Sequence, residues 1–150
     1  MKKFLIAAAG AGAVCSTSAM ANEGRIEARG GIVFMAGNSD AIGGVAAGYD
    51  FDLGQTMFIG AEASADKALT DGANVVFGLT GRVGLKLGEP GKLYLTGGYS
   101  FDDDTDVGHI GAGYQHKLSN NIYGKIEYRR LLVPIFNDAN TVVAGLGVAF

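Results

Sequence analysis

The sequence predicts an all-β fold: an eight-stranded antiparallel up-and-down transmembrane β-barrel that follows a cleaved signal peptide. Apolar and polar residues alternate with a period of two along most of the chain, which is the periodicity of strands. Clusters of turn-forming residues interrupt this alternation at nearly even spacing. The 150 residues include 25 glycines, only 2 prolines and no tryptophan, a composition that favours strands joined by tight turns.

Residues 1–21 predict a secretory signal peptide. Lys2 and Lys3 precede an apolar run from residue 4 to residue 14, and small residues surround a cleavage point after Ala21. The apolar run is too short to span a bilayer as a helix. We therefore expect the chain to be exported and cleaved.

Cleavage leaves a mature chain of residues 22–150, a length that suits a single domain. It removes Cys15, the only cysteine, so no disulfide framework supports the fold. A lipoprotein site at Cys15 is the alternative, but Val14 is bulky where such sites take a small residue. Two of the 12 basic residues also leave, so 10 basic residues face 15 acidic ones and the net charge moves from −3 to −5. This charge argues against nucleic-acid binding, which rests on clustered positive charge.

Eight strands are predicted in the mature chain, each from its own alternating segment. In order they are residues 25–36 (RIEARGGIVFMA), 41–52 (AIGGVAAGYDFD), 56–64 (TMFIGAEAS), 75–87 (VVFGLTGRVGLKL), 92–101 (KLYLTGGYSF), 108–118 (GHIGAGYQHKL), 122–133 (IYGKIEYRRLLV) and 141–150 (TVVAGLGVAF). The turns between them are residues 37–40 (GNSD), 53–55 (LGQ), 66–73 (DKALTDGA), 88–91 (GEPG), 102–106 (DDDTD), 119–121 (SNN) and 134–140 (PIFNDAN).

A closed barrel follows from the spacing of these strands. A repeat of about sixteen residues leaves no room for crossover helices, so sequential strands must pair antiparallel. An open sheet would leave unpaired backbone groups on its first and last strands, and closure removes both edges. The strands also reach the roughly 9 to 11 residues that a tilted strand needs to cross a bilayer.

The charged residues decide which face of the sheet points outward. Charges share one face, at Arg25, Glu27, Arg29, Glu62, Arg82, Lys86, Lys117, Lys125, Glu127 and Arg129. The other face is almost entirely apolar, with Ile26, Ile32, Phe34, Val45, Tyr49, Phe51, Ile59, Phe77, Leu79, Val83, Leu85, Leu93, Leu95, Tyr99, Phe101, Ile110, Tyr114, Ile122, Ile126 and Tyr128. A basic side chain at the bilayer midplane costs about 2 to 4 kcal/mol, so the charged face cannot contact lipid.

Small residues on the charged face favour a barrel lumen over a soluble surface. They are Gly44, Gly48, Gly60, Gly84, Gly98, Gly111, Gly113, Gly145 and Gly147, with Ala46, Ser64, Thr80 and Thr96. Glycine weakens a solvent-facing strand. In a narrow eight-stranded lumen, however, long charged side chains require tiny neighbours. A soluble secreted barrel of the lipocalin type is the alternative.

A charge network is predicted to fill this lumen. Glu62 and Arg82 lie on adjacent strands, and Glu127 is flanked by Lys125 and Arg129. Across the closing strand, Glu127 is also expected to approach Arg25 or Arg29; Glu27 and Lys86 complete the set. Such a ladder would plug the barrel, because buried charges must be paired. The alternative is that these are wet lumen charges without fixed partners.

Aromatic residues on the apolar face are predicted to form two girdles. With the N-terminus in the periplasm, Tyr49, Phe51 and Phe150 fall near the inner interface of the membrane, while Phe34, Phe77, Tyr99 and Phe101 fall near the outer one.

The last strand carries the most specific motif. It places Val142, Ala144, Leu146, Val148 and Phe150 on one face and ends on the phenylalanine. With this strand and three Gly-Tyr pairs, the mature chain resembles the small eight-stranded outer-membrane barrels of Gram-negative bacteria, the porin-family or opacity-type proteins and the transmembrane domain of OmpA-type proteins. The resemblance implies that Gly145, Val148 and Phe150 form the C-terminal assembly signal of that family. Val143 stands where the family usually has a polar residue.

The resemblance also implies a location and partners. We expect an outer-membrane protein that contacts lipid and lipopolysaccharide, engages the barrel-assembly machinery and periplasmic chaperones, and stays monomeric without a cofactor. The expected function is a structural role in envelope integrity. A narrow porin-like pathway or an adhesin that contacts a host are the alternatives, and short outer loops disfavour adhesion.

The sequence contains three further candidate sites. Family barrels that act on lipid A use a histidine with a serine; here His109 points inward with no adjacent serine, and His116 faces lipid on the periplasmic side, so no enzyme is expected. Asp102, Asp103, Asp104 and Asp106 form a weak candidate for a calcium site, with Asp66 and Asp71 in another outer loop; a solvated acidic tip is the simpler interpretation. Arg130 is the one charge predicted on the lipid face, where it could reach lipopolysaccharide phosphate.

Overall fold

The computed structural model describes residues 22–35, 37–102, 106–132 and 139–150. These residues form eight strands that close into one barrel in chain order. The strands are β1 (Glu23–Met35), β2 (Asn38–Leu53), β3 (Met57–Ala68), β4 (Val75–Leu87), β5 (Gly91–Phe101), β6 (Asp106–Lys117), β7 (Ile122–Leu132) and β8 (Ala139–Ala149). The predicted all-β, eight-stranded up-and-down barrel is confirmed. The predicted signal peptide, residues 1–21, lies outside the described residues.

Every strand pairs antiparallel with its neighbour, and β8 pairs with β1 to close the sheet. The seam between β1 and β8 runs from the pair Arg25 and Ala149 to the pair Phe34 and Asn140. Gly24 and Phe150 extend it by exchanging two backbone hydrogen bonds of 2.8 Å. The final residue of the chain is therefore part of the closure.

The two ends of the barrel differ in what they carry. We call one the termini end: it holds Asn22, Phe150 and the connections 54–56, 88–90 and 118–121. We call the other the loop end: β1, β3, β5 and β7 end there, and it holds Gly37, residues 69–74 and Asp102. Gly54 and Gly88, at the termini end, have φ of 84° and 75°, a conformation that favours glycine in a tight turn.

Four predicted strand boundaries at the loop end were wrong, and one of them is the start of β8, which lies at Ala139 rather than Thr141. β2 begins at Asn38, so two residues rather than four connect it to β1. β3 continues to Ala68 and includes Asp66, which was expected in a loop. β6 begins at Asp106, which pairs with Phe101. In each case the hydrogen-bonded ladder continues through turn-forming residues.

The barrel is polar inside and apolar outside, as the alternation predicts. Its buried side chains include six cations or anions that are at most 4% exposed: Arg25, Glu27, Asp50, Glu62, Arg82 and Glu127. Large apolar side chains instead face outward, such as Leu79 at 57% and Leu95 at 62% exposed. Among the described residues, no helix is long and apolar enough to cross a membrane.

The outward face has a tall band without charge. By strand alternation, Lys, Arg, Asp and Glu occupy outward positions of the described strands only at Lys67, Asp106 and Arg130, all at the loop end. In β4 the outward positions from Val75 to Leu87 are apolar side chains or glycine. At about 3.3 Å per residue and a tilt of about 40°, this strand gives a band about 30 Å tall, close to the hydrocarbon thickness of a bilayer.

Aromatic side chains sit at both ends of this band. At the termini end the rings of Tyr49 and Phe51 lie 4.8 Å apart, and the Phe150 ring packs over Gly24, the register partner of Tyr49. Towards the loop end, Phe77 pairs with Phe101 in the ladder. Two interfaces are the places where aromatic girdles of membrane barrels lie.

Candidate functional site

The middle of the lumen is organised around one carboxylate, that of Glu62 on β3. It accepts hydrogen bonds from Arg25 Nη1 at 2.6 Å and Arg29 Nη1 at 2.9 Å, both on β1. It also accepts from Arg129 Nη2 at 3.1 Å and Lys125 Nζ at 3.2 Å, both on β7. Glu62 is 3% exposed, so two cations from β1 and two from β7, on the opposite side of the barrel, surround one buried anion.

A second cluster lies nearer the termini end and centres on Asp50 of β2. Arg82 of β4 holds it with two hydrogen bonds, from Nε at 2.9 Å and from Nη2 at 2.5 Å. Lys92 Nζ lies 3.3 Å and Arg25 Nε 3.6 Å from the same carboxylate. The Arg82 guanidinium also stacks over the Tyr94 ring, 4.5 Å from its centroid, so the cluster fills space as well as pairing charge.

Three further lumen carboxylates, Asp66, Glu127 and Glu27, pair with cations of β1 and β7. Arg29 donates two hydrogen bonds to Asp66, one of them from Nε at 2.7 Å. Glu127 bonds to Arg129 on its own strand and accepts from the Tyr94 hydroxyl at 2.9 Å. In the same layer Lys125 Nζ lies 2.5 Å from Glu27, which also accepts from the Tyr123 hydroxyl at 2.8 Å.

The structure brings the predicted charges into one lumen but changes several pairings. Arg82 does not bind Glu62 on the adjacent strand; its carboxylate is Asp50. Glu127 bonds its strand neighbours and Tyr94 rather than the arginines of β1. Lys86 lies apart from the central network, at the termini end, where it pairs with Asp52. Lys117, the other predicted lumen charge, is exposed at that same end.

Sequence reasoning missed five residues that complete the lumen: Asp50, Phe58, Asp66, Tyr94 and Tyr123. Asp50 and Phe58 are 0% exposed, and the two tyrosines are at most 2% exposed. Strand alternation carried the signal for Asp50, which shares its face with Gly48. The sequence did not predict Phe58, Tyr94 and Tyr123 in the lumen because large aromatic rings are expected on the lipid side of a membrane barrel.

Glycine makes room for these large groups. A Cβ on Gly113 would lie 2.5 Å from the Tyr94 ring, and one on Gly147 would lie 2.6 Å from the Tyr123 ring. A Cβ on Gly48 would lie 2.5 Å from Arg25 Nη2. These three large lumen side chains therefore pack against glycines, which suits a narrow eight-stranded interior.

His109 has a serine neighbour, contrary to expectation. Its ring is 2% exposed and bonds Thr80 Oγ1 through Nε2 at 2.9 Å and Ser100 Oγ through Nδ1 at 3.1 Å. Hydroxyls occupy both ring nitrogens, so no carboxylate orients the ring as in a nucleophile–base–acid triad. His116 lies outward at the termini end, where its Nδ1 bonds the Tyr114 hydroxyl at 2.9 Å.

The structure describes part of the predicted acidic tip, and it also describes Arg130. Asp103 and Asp104 lie outside the described residues, and Asp106 belongs to β6. Within the part of the chain that the structure describes, no group of three or more His, Cys, Asp or Glu side chains could hold a metal ion. Arg130 is exposed on the outward face beside its register partner Ile110, and the ladder passes it without a bulge.

A cavity of about 910 Å³ opens at the termini end. Its lining includes Lys86, Lys92 and Lys117 together with the acidic residues Glu23 and Asp52. The network around Asp50 and Tyr94 lies beyond its inner end, where Lys92 and Gln115 contact both regions. The lumen is thus open at one end and filled in its middle.

Comparison with known proteins identifies the fold. No protein-family model matches the sequence, and no curated protein matches it. The N-terminal β-barrel domain of Pseudomonas aeruginosa OprF is similar in structure, with a TM-score of 0.65 and 16% identity over 85% of this chain and 97% of that one. Ail, the attachment invasion locus protein of Yersinia pestis, is similar with a TM-score of 0.65 and 15% identity, over 86% of this chain and 97% of Ail. Neisserial surface protein A has a TM-score of 0.55 and 13% identity, over 86% of this chain and 97% of that protein.

These similarities establish a shared architecture. Each alignment covers nearly the whole of the other barrel. The chain therefore has the fold of the small eight-stranded outer-membrane β-barrels, as the sequence predicted.

Proposed function

We propose that this chain, which has the fold of the small outer-membrane barrels, spans the outer membrane through residues 22–150 and serves as a structural barrel with a closed lumen. The observation that carries the proposal is the apolar outward face, which on β4 is free of charge over about 30 Å. A soluble barrel would place its apolar face inside and its charges outside. This barrel does the reverse, with Arg25, Glu62 and Arg82 at most 4% exposed.

The ion pairs support a closed lumen rather than a porin-like pathway. Glu62 on β3 bonds cations on β1 and β7, so its contacts reach across the interior. Asp50 and Arg82 close a second level with Tyr94 and Phe58 packed beside them. Opening a wide path would separate several buried charge pairs, each of which is costly to break.

Assembly follows from the closing strand. In this proposal the signal peptide directs export, periplasmic chaperones carry the unfolded chain, and the barrel-assembly machinery recognises Gly145, Val148 and Phe150. Phe150 lies at the β1–β8 seam, where its backbone pairs with Gly24. The termini end then faces the periplasm and the loop end faces outward.

The short connections disfavour an adhesin. Two to six residues join the strands at the loop end, too few to build a broad contact surface. Ail is named for attachment and invasion, and that role belongs to Ail. In the proposed orientation Arg130 lies on the lipid side near the outer leaflet, where contact with lipopolysaccharide phosphate stays a prediction.

Cell fractionation and gel mobility test the proposed location. We expect the protein in the outer-membrane fraction, with faster migration in detergent gels when unheated than after boiling, because the closed barrel stays compact. Recovery in the soluble periplasmic fraction would exclude the membrane barrel.

A further inference from the structure

The cavity at the termini end has two walls of opposite charge. Lys86, Lys92 and Lys117 line it from three consecutive strands, β4, β5 and β6. Glu23 of β1 and Asp52 of β2 line it from the other side. Because β1 and β5 are four places apart in a closed ring of eight, Glu23 and Lys92 come from opposite sides of the barrel.

The basic wall keeps unused hydrogen-bond donors. Lys86 and Lys92 are direct register partners, an arrangement of like charges that is unfavourable unless each is compensated. Lys92 Nζ donates to Glu23 at 2.6 Å and to Asp50 at 3.3 Å, and Lys86 pairs with Asp52. Lys117 is exposed, and its ammonium pairs with no carboxylate in the described ranges. Since each ammonium has three donors, most of those on this wall remain available.

The acidic wall keeps unused acceptors. Glu23 and Asp52 each bind one lysine through one oxygen, Oε1 and Oδ2 respectively. Their side chains are 27% and 12% exposed. A carboxylate offers about four acceptor positions, so both can take a further donor.

We propose that this cavity binds small zwitterions, molecules that carry both an ammonium and a carboxylate, such as a free amino acid or a short peptide. The ligand carboxylate would contact Lys117 and Lys86, and its ammonium would contact Glu23 and Asp52. A simple anion would meet the acidic wall and Glu89, and a simple cation would meet three lysines. A zwitterion satisfies both walls without adding net charge.

The size and remaining lining of the cavity suit a short peptide. Its volume of about 910 Å³ falls in the range of roughly 300 to 1,000 Å³ that is typical of small-molecule sites. Asn22, Gln55 and Asn120 also line it, and side-chain amides both donate to and accept from peptide groups. This inference goes beyond the proposed function, since a sealed structural barrel needs no ligand.

Titration of the refolded, isotope-labelled barrel with tetraglycine tests the proposal. At low salt we expect saturable NMR shifts for residues of both walls, and no such shifts with tetraglycine that is acetylated at its amine and amidated at its carboxyl end. K117Q should weaken tetraglycine binding about tenfold, the effect of removing one charge-assisted hydrogen bond. K67Q, a change on the outward face at the loop end, is the matched control and should bind like the wild type.

Three outcomes would overturn the proposal: no saturable shift, equal binding of the capped peptide, or unchanged affinity in K117Q. Lys117 is exposed and has no ion pair within the described ranges, so K117Q should fold normally, which its unheated gel mobility checks. Failure of this test leaves the membrane location and the closed lumen unaffected, because fractionation and conductance measure those separately.

Discussion

Replacing Glu62 by Gln should destabilise the barrel more than any other single loss of charge in the lumen. The change keeps the shape of the side chain but leaves Arg25, Arg29, Lys125 and Arg129 around a neutral amide. Removing one partner of a buried ion pair costs about 3 to 5 kcal/mol. This cost raises the unfolding equilibrium constant by a factor between about 100 and several thousand. Asp66, Glu27 and Glu127 already pair with Arg29, Lys125 and Arg129, so these carboxylates cannot supply the charge of Glu62 as well.

Urea unfolding from lipid vesicles would measure this cost, with far-UV circular dichroism or gel mobility as the signal because the chain has no tryptophan. D71N changes an exposed carboxylate in the 69–74 connection and should stay within about 0.5 kcal/mol of the wild type. K125M should cost less in the E62Q background than alone, since it then removes an excess cation. An E62Q variant as stable as D71N would refute the idea that a paired network fills the lumen.

Three further perturbations test the two faces of the sheet and the closing strand. G98A should destabilise the barrel by about 1 to 3 kcal/mol, because the added Cβ would collide with the Leu79 carbonyl oxygen. G97A is the control, since its Cβ would lie 4.0 Å from the nearest backbone oxygen, that of His109. Equal unfolding midpoints for the two variants would contradict the assignment of Gly98 to the inward face and Gly97 to the outward face. L95R should cost about 2 to 4 kcal/mol in vesicles, because Leu95 is 62% exposed within the apolar band; a neutral effect would place this face in water. F150A should lower the yield of assembled barrel more than the unfolding free energy of barrel already formed, and equal losses would make Phe150 a packing residue only.

The sequence predicted the architecture because it depends on local patterns. The alternation of apolar and polar residues predicted the two faces of the sheet, and the spacing of turn residues predicted the correct number of strands. The strand ends were less predictable: residues 38–40 and 65–68 contain turn formers, yet they lie in strands because their partners continue the ladder. Placing Asp66 in a loop followed from this error and concealed the carboxylate that binds Arg29.

The pairing inside the lumen could not be predicted in the same way. Contacts such as Arg25 with Glu62 depend on the stagger between strands that are not neighbours, which closure of the barrel sets and no local pattern records. Adjacent strands suggested Glu62 with Arg82, but Arg82 reaches Asp50 instead. The tyrosines that fill the lumen depend on glycines in adjacent strands, as Tyr94 does on Gly84 and Gly113.

Planar-bilayer conductance of the refolded wild-type protein tests the central claim, a membrane-spanning barrel whose lumen is closed. We predict that the inserted protein forms no large, stable channel, because ion pairs around Glu62 and Asp50 fill the interior at two levels. E62Q serves as the comparison and should conduct more than the wild type. A large, stable pore formed by the wild-type protein would contradict the account.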